Sequence, residues 1–255
     1  MFDLLRIREE TNVADIAYLD EIDSTNSFAM KQLEESTVES PWLVLSEKQT
    51  AGRGRGSNQW WTSDGALTFS VTIEAHDLDA EQIGKASLST GLAVCQALER
   101  FVPGGDLALK WPNDVYLEGK KICGILIERS AARSDYVVIG IGINVNNSMA
   151  NSPDEVAERA ISLVDCLECE VDRTAVLIEC LQQIDRRIRS IRLGDSMLLD
   201  QWRAYCMLTG RRVTVDLYEQ ELTGICAGID STGALLVQSG EETHRCIGGV
   251  VKSFT

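Results

Sequence analysis

The chain has 255 residues, 44% of them hydrophobic, and a formal net charge of −15 at pH 7. That length holds one large domain and a small one, and the apolar share is that of a folded chain rather than a disordered one. The acidity disfavours general nucleic-acid binding, which needs clustered Lys and Arg, and no apolar run reaches the roughly 18 residues of a transmembrane helix.

Met1 to Glu10 carries mixed charges and no signal-peptide core, so an intracellular, cytoplasmic protein with reduced cysteines is expected. Residues 15–22 read as a short strand. Asp23-Ser24-Thr25-Asn26 follows as a helix start, with Ser24 or Thr25 as N-cap ahead of Phe28, Met30 and Leu33. Those short polar side chains cap a helix and also offer donors and acceptors to a small polar ligand.

Trp42 to Glu47 is a buried-strand candidate that runs into Gln49-Thr-Ala-Gly-Arg-Gly-Arg-Gly-Ser-Asn-Gln-Trp60. There Gly52, Gly54 and Gly56 alternate with Arg53 and Arg55. Glycines let successive N–H groups turn toward one anion, and arginine adds a charged planar fork suited to phosphate or carboxylate. A flexible basic surface loop or an RNA-binding tract is the bland alternative. Leu67 to Ile73 alternates as another strand, and residues 80–101 form a helix ended by Pro103-Gly104-Gly105.

Lys110-Trp111-Pro112-Asn113-Asp114 is a dense polar cluster within strand-forming sequence. Residues 115–117 and 122–127 then make a hairpin, with Lys110 and Lys121 on its two arms. Tyr136 to Val145 reads as a central strand whose Gly140 and Gly142 let a ligand or another backbone pass close by, with Asn144 at its end. Residues 174–191 are an amphipathic helix with Arg186, Arg187 and Arg189 on its solvated face, and Ser196 to Met207 is a further helix. From Arg211 onward, short strands at 213–217, 222–229, 234–238 and 250–254 predict a small separate β-barrel.

Of eight cysteines, Cys95, Cys123, Cys180, Cys226 and Cys246 sit in apolar contexts as core residues. Cys166 and Cys169 form a C-x-x-C with no second pair at zinc spacing, so no metal site is expected. With only His76 and His244, catalysis built on a His base is not expected.

Five of these motifs together resemble biotin–protein ligases. They are Asp-Ser-Thr-Asn (23–26), Gln-Thr-Ala-Gly-Arg-Gly-Arg (49–55) with Trp60, Lys-Trp-Pro-Asn-Asp (110–114), Lys-Ile-Cys-Gly-Ile-Leu (121–126) and Gly-Ile-Gly-Ile-Asn (140–144), in the family's order. Gly224, Gly-Ile-Asp (228–230) and Gly233-Ala-Leu-Leu-Val look like the family's small SH3-like domain. The resemblance implies an α/β (α+β) fold. Residues 1–208 would be a mixed-sheet catalytic domain of the lipoate-ligase and class II synthetase type, and 209–255 the SH3-like barrel. It also implies a reaction. Biotin's carboxylate attacks the α-phosphate of ATP to give biotinyl-5′-AMP and pyrophosphate. A lysine of a biotin carboxyl carrier domain, such as that of acetyl-CoA carboxylase, then takes the biotin and releases AMP.

By the same resemblance, Arg53, Lys110, Lys121 and Asp114 are the catalytic candidates. Biotin falls to Ser24, Thr25, Asn26, Gln49, Gly52, Arg53, Gly54, Arg55, Trp60, Lys121 and Gly124. ATP falls to Arg53, Arg55, Lys110, Asn113, Lys121 and Asn144, with Mg²⁺ as companion and Asp114 placing either that ion or the acceptor lysine. A monomer or weak homodimer without membrane partners is expected, and no DNA binding is expected because only 23 residues precede Ser24, too few for the DNA-binding domain some family members carry. The sequence departs from the family at Gly56 and Asn58, where many bacterial members carry arginines, and at Val250, where Glu is usual. The competing readings are a lipoate or related acyl-adenylating ligase and a non-catalytic biotin-binding module. A dinucleotide enzyme is disfavoured for want of a proper Gly-x-Gly-x-x-Gly.

Overall fold

Seven strands form one mixed sheet in the computed structural model, which describes all residues except 79, 131, 132, 195, 196, 218 and 219. They are β1 (Asp15–Ile22), β2 (Trp42–Gln49), β3 (Leu67–Glu74), β4 (Leu107–Lys110), β5 (Asp114–Leu117), β6 (Lys120–Arg129) and β7 (Tyr136–Ile143). Their spatial order is β1-β2-β3-β7-β6-β5-β4. Only β1 and β2 run parallel. A parallel pair needs a crossover, and helix α2 (Thr25–Glu35) supplies it.

Register gives the sheet two unlike faces. Paired residues of adjacent strands share a face. Phe69 pairs with Ile141 and Ile141 with Ile125; Leu67 pairs with Ile143 and Ile143 with Cys123. These apolar rows are buried under α3 (Ala80–Leu98) and α6 (Arg173–Arg192), in one core cluster. On the other face Ser70 pairs with Gly140 and Thr68 with Gly142, while Gly142 pairs with Gly124. Glycine and small hydroxyls leave that side of the sheet hollow, and α2 covers only part of it through Ala29 and Leu33 against Trp42, Val44 and Val138.

The second sheet comprises β8 (Arg212–Asp216), β9 (Glu221–Ile229), β10 (Leu235–Ser239), β11 (Glu242–Cys246) and β12 (Val250–Phe254). It is antiparallel, in the order β11-β10-β9-β8-β12. Its interior residues Val213, Val215, Ile229, Leu235 and Val237 join the same core cluster as the first sheet. Trp111 Nε1 donates to Gly233 O at 3.0 Å, and Arg203 of α7 (Leu198–Tyr205) donates to Ile229 O at 2.8 Å. These bonds fix the second sheet beside the open end of the hollow face.

Several expectations need correction. The expected hairpin is present as β5 and β6, but Lys110 is not on one of its arms: it ends a further strand, β4, which extends the hairpin to a three-stranded meander. α3 stops at Leu98, and Phe101 lies in the turn beyond it. Arg187 is not on a solvated face: it donates to Gln96 at 2.8 Å and to Gln201 at 2.5 Å, tying α6 to α3 and α7. α7 begins at Leu198, and the expected helix start at Ser196 lies outside the described residues. Strand β11 and helices α1 (Leu4–Glu10), α4 (Asp154–Ala157) and α5 (Leu163–Leu167) were not anticipated. Cys95, Cys123, Cys180, Cys226 and Cys246 are buried as expected, while Cys166 is half-buried and Cys169 exposed. Among the described residues no helix is long and apolar enough to cross a membrane.

Candidate functional site

The hollow face opens into a cavity of about 760 Å³, bounded by α2, residues 53–61, the β4–β6 meander, β7, residues 155–160 and β12. Of the residues singled out in the sequence, the cavity gathers all but Gly52 at its walls. Gly52 acts one step back. Its carbonyl accepts the Trp60 N–H at 2.9 Å, and a Cβ there would lie 2.5 Å from the Trp60 carbonyl.

One end of the cavity is neutral and polar. Ser24 caps α2 by accepting from Ser27 N, which leaves Thr25 and Asn26 in the first helical turn, all three buried. Gln49, at the end of β2, accepts through Oε1 from Thr25 N at 2.8 Å and Thr25 Oγ1 at 3.2 Å. Its amide is thereby turned so that Nε2 remains a donor. Ser70 donates to Asn26 Oδ1 at 2.6 Å and lies 2.7 Å from Thr25 Oγ1. Asn26 Nδ2 donates to Leu126 O at 3.1 Å and to Glu128 at 3.0 Å. Gly140 is required here, since a Cβ would meet Asn26 Oδ1 at 2.1 Å.

The glycine–arginine stretch is a small hairpin laid across the cavity. Gly54 N donates to Asn58 O at 2.8 Å, and Arg53 bridges to Gln59. The hairpin brings the Trp60 indole down onto the glycine floor: a Cβ on Gly142 would lie 2.4 Å from the ring, and one on Gly124 3.1 Å. Arg53 holds Glu128 in a two-pronged pair at 2.7 and 3.1 Å. Arg55 reaches the second sheet and donates to Gly249 O at 3.3 Å. Sequence reasoning missed Glu128 and Ser70. Ser70 lies in the strand read at 67–73 and Glu128 one residue past the one read at 122–127, but only the sheet register brings them to Asn26 and Arg53.

The other end is cationic. Arg55, Lys110, Lys121, Arg159 and Lys252 line the cavity against Asp114, Glu155 and Glu158, a local excess of positive charge in an acidic chain, while Arg53 stands nearer Asn26, with which it shares Glu128. Lys121 pairs with Asp114 at 2.6 Å, and its ammonium sits 5.8 Å from the centre of the Trp60 ring. Lys110 lies between the rings of Tyr116 and Phe254, at 5.8 and 5.3 Å. Burial lowers the Lys110 pKa; Asp114 opposes that, and Lys121 and Arg159 add to it. Burial likewise pushes the Tyr116 hydroxyl up to about 12. Asn113 donates to Ile125 O, stiffening the turn between β4 and β5. Asn144 is buried; it donates to Ile161 O at 3.1 Å and accepts from Asn147 at 3.0 Å. It thereby holds the segment carrying Arg159, which runs beside β6 through a Lys121–Ala160 bridge. Tyr116, Arg159 and Phe254 complete this end and were not picked out in the sequence.

Such a cavity can hold a neutral polar head at one end, an apolar body against Trp60 and glycine, and two anionic groups at the other. Comparison with known proteins finds relatives over most of the chain. The profile of the Biotin/lipoate A/B protein ligase family matches residues 18–144, and that of the Biotin protein ligase C terminal domain matches 208–251. The chain is 35% identical over 205 residues to a biotin--[acetyl-CoA-carboxylase] ligase of Mycobacterium tuberculosis, covering 79% of this chain and 74% of that one. It is 32% identical over 229 residues to the bifunctional ligase/repressor BirA of Bacillus subtilis, covering 89% and 70%. Among solved structures, the biotin protein ligase of Aquifex aeolicus in complex with biotin and ATP superposes with a TM-score of 0.81 at 30% identity, covering 95% of this chain and 99% of that one.

Proposed function

The chain belongs to the biotin protein ligase family, and from that premise we infer how its cavity is used. The protein is an ATP-dependent biotin–[acetyl-CoA-carboxylase] ligase: it activates biotin with ATP and transfers it to the carboxylase. The observation that carries the assignment of residues is the union, on one glycine-lined floor, of a neutral hydrogen-bonding end and a cationic end.

Biotin's ureido head takes the neutral end, where Ser24, Thr25 and Gln49 offer donors and acceptors without charge. Asn26, already bonded to Ser70, Leu126 and Glu128, frames that end. Trp60, Gly124 and Gly142 close over the apolar body and chain. The carboxylate then lies toward Arg53 and Lys121, which also face the α-phosphate. Two anions repel, and fixed cations between them offset that repulsion as the pentacoordinate phosphorus forms. Removing one such donor typically slows the reaction by about 10²–10³-fold. Lys110 serves the phosphates, and Asn113 and Asn144 hold the walls on either side of the nucleotide. Arg55 fastens the hairpin to the second sheet through Gly249, with Gly54 at its narrow turn.

Mg²⁺ fits as a companion of the triphosphate, since it is held by one or two carboxylates plus phosphate oxygens. Asp114, half-buried on the wall and paired with Lys121, is the carboxylate we assign to share it. When bound, the ion neutralises phosphate charge. In the second step Asp114 receives the acceptor lysine, whose neutral amine attacks the acyl carbon; the acyl–phosphate bond breaks, AMP leaves with the electron pair, and the nitrogen gives up its proton to water. The net charge of −15 sets the chain against a DNA surface, so we assign it no DNA partner.

Incubation with ATP, biotin and the carrier domain of acetyl-CoA carboxylase tests this directly. Biotin is expected on one lysine of the carrier, lost in Lys121→Ala. Labelling with lipoate and none with biotin would overturn the assignment.

A further inference from the structure

Among the described residues Lys110 has no ion pair of its own, although Asp114 on the next strand favours its charge. Among the described residues no carboxylate lies within ion-pair distance of Nζ, and no hydrogen bond reaches it, while Lys121 is paired with Asp114 at 2.6 Å and Arg53 with Glu128 at 2.7 Å. What touches Lys110 instead is aromatic: the Tyr116 ring on the neighbouring strand and the Phe254 ring on β12, the last strand of the second sheet. Phe254 is held by its pairing with Val213 of β8, and the Arg211 guanidinium lies 5.7 Å from the same ring. Lys252, two residues earlier, is turned to Asp216 and Glu221 at 3.0 and 2.9 Å.

We propose that Phe254 is a positioning residue for Lys110: its ring, with that of Tyr116, holds the ammonium at the anionic-ligand end of the cavity. The second sheet thereby takes part in ATP use by placing a cation that belongs to the first. A carboxylate would fix Nζ but compete with phosphate for it. An aromatic face attracts a cation within about 6 Å and leaves its charge available. Without such a guide a lysine beside Lys121 and Arg159 would turn away from them, and its four-carbon stem has freedom to do so. Holding the ammonium in place beforehand removes that loss on binding. The inference rests on the reading above that Lys110 meets the phosphates of ATP.

The test uses the full chain as Phe254→Leu, Phe254→Tyr, Lys110→Ala and the Lys110→Ala/Phe254→Leu pair. Each is read by biotin-dependent ATP–pyrophosphate exchange, by biotin affinity without ATP, and by thermal midpoint. Phe254→Leu is expected to raise the KM for ATP about fivefold to tenfold, with kcat within twofold and biotin affinity unchanged. Phe254→Tyr restores the parent value. The pair is no worse than Lys110→Ala alone, because both changes remove one interaction. The pH profile separates positioning from bulk. The groups facing Lys110 are Asp114 and Tyr116 from β5, Lys121 from β6 and Arg159 from the segment beside it, with Arg211 behind the Phe254 ring. Phe254→Leu returns water to Lys110 and removes a ring that favours its charge, so the basic limb of the ATP KM profile moves from its parent position. A Phe254→Leu enzyme with parent KM and parent basic limb, beside a defective Lys110→Ala, overturns the positioning role. A Lys110→Ala enzyme with parent KM overturns the phosphate reading beneath it.

Discussion

Gly142→Ala probes the contact that closes the cavity. A Cβ on Gly142 would lie 2.4 Å from Trp60 Cε2 and 2.5 Å from Nε1. Carbon atoms rest at about 3.5–4.0 Å, so the indole must retreat by about 1 Å. Overpacking of this kind costs about 1–3 kcal/mol. The sheet is not where that strain is relieved, because β7 is buried along its whole length and bonded on both edges. The 52–60 hairpin is: it meets the sheet through Trp60 and is closed by single bonds such as Trp60 N to Gly52 O at 2.9 Å. The cost therefore falls on the closed hairpin and on biotin binding. At about 1.4 kcal/mol per tenfold, affinity drops about fivefold to a hundredfold. The thermal midpoint falls by no more than about 4 °C, the shift that about 1 kcal/mol of fold stability produces in a chain of this size. Calorimetric titration of biotin without ATP, beside a thermal scan, reads both numbers. Gly84→Ala is the control: no atom lies within 4 Å of its Cβ position, and alanine in a helix gains up to about 1 kcal/mol, so its midpoint rises and its biotin affinity is unchanged. A Gly142→Ala protein that binds biotin within twofold of the parent would refute the role given to Trp60.

Glu128→Gln removes the charge that holds Arg53, a half-exposed pair worth about 1 kcal/mol; trypsin should then cut after Arg53 or Arg55 several times faster, and an unchanged cleavage rate would show that Glu128 does not hold the hairpin. Asp230→Asn tests the turn beneath Trp111. Burial would raise the Asp230 carboxyl, but Arg245, Thr232 and the N–H groups of Thr232 and Ala234 outweigh it and hold the pKa below the carboxylate range. A carboxyl lowered in the fold stabilises fully above its unfolded value of about 3.9 and loses that contribution as pH falls toward the folded one. The gap in thermal midpoint between parent and Asp230→Asn is thus expected to be several degrees at pH 7 and to shrink below pH 4; a gap constant with pH would contradict the assignment. Arg187→Ala should lower the midpoint with biotin affinity unchanged, as its bonds to Gln96 and Gln201 lie between helices behind the sheet; a selective loss of biotin binding would contradict that.

Local pattern made much of this legible. β1 and β12 fall at Asp15–Ile22 and Val250–Phe254 as read from the sequence, and Ser24 is the N-cap. The glycines of the central strand do admit close neighbours, Asn26 at Gly140 and Trp60 at Gly142. What escaped was short or remote. β4 is only four residues, and α1 is a seven-residue helix, Leu-Leu-Arg-Ile-Arg-Glu-Glu, with too few apolar positions to show a period. Glu128 meets Arg53 across 75 positions of chain, through register alone. Phe254 reaches Lys110 because the second sheet docks by Trp111 and Gly233, a contact that no local signal marks.

The most direct measurement is ATP–pyrophosphate exchange by the parent and by Arg53→Ala, each with biotin, with lipoate and with neither. The cavity as described predicts exchange that requires biotin and falls by about 10²-fold or more in Arg53→Ala. Exchange supported by lipoate alone, or an Arg53→Ala enzyme as fast as the parent, would contradict it.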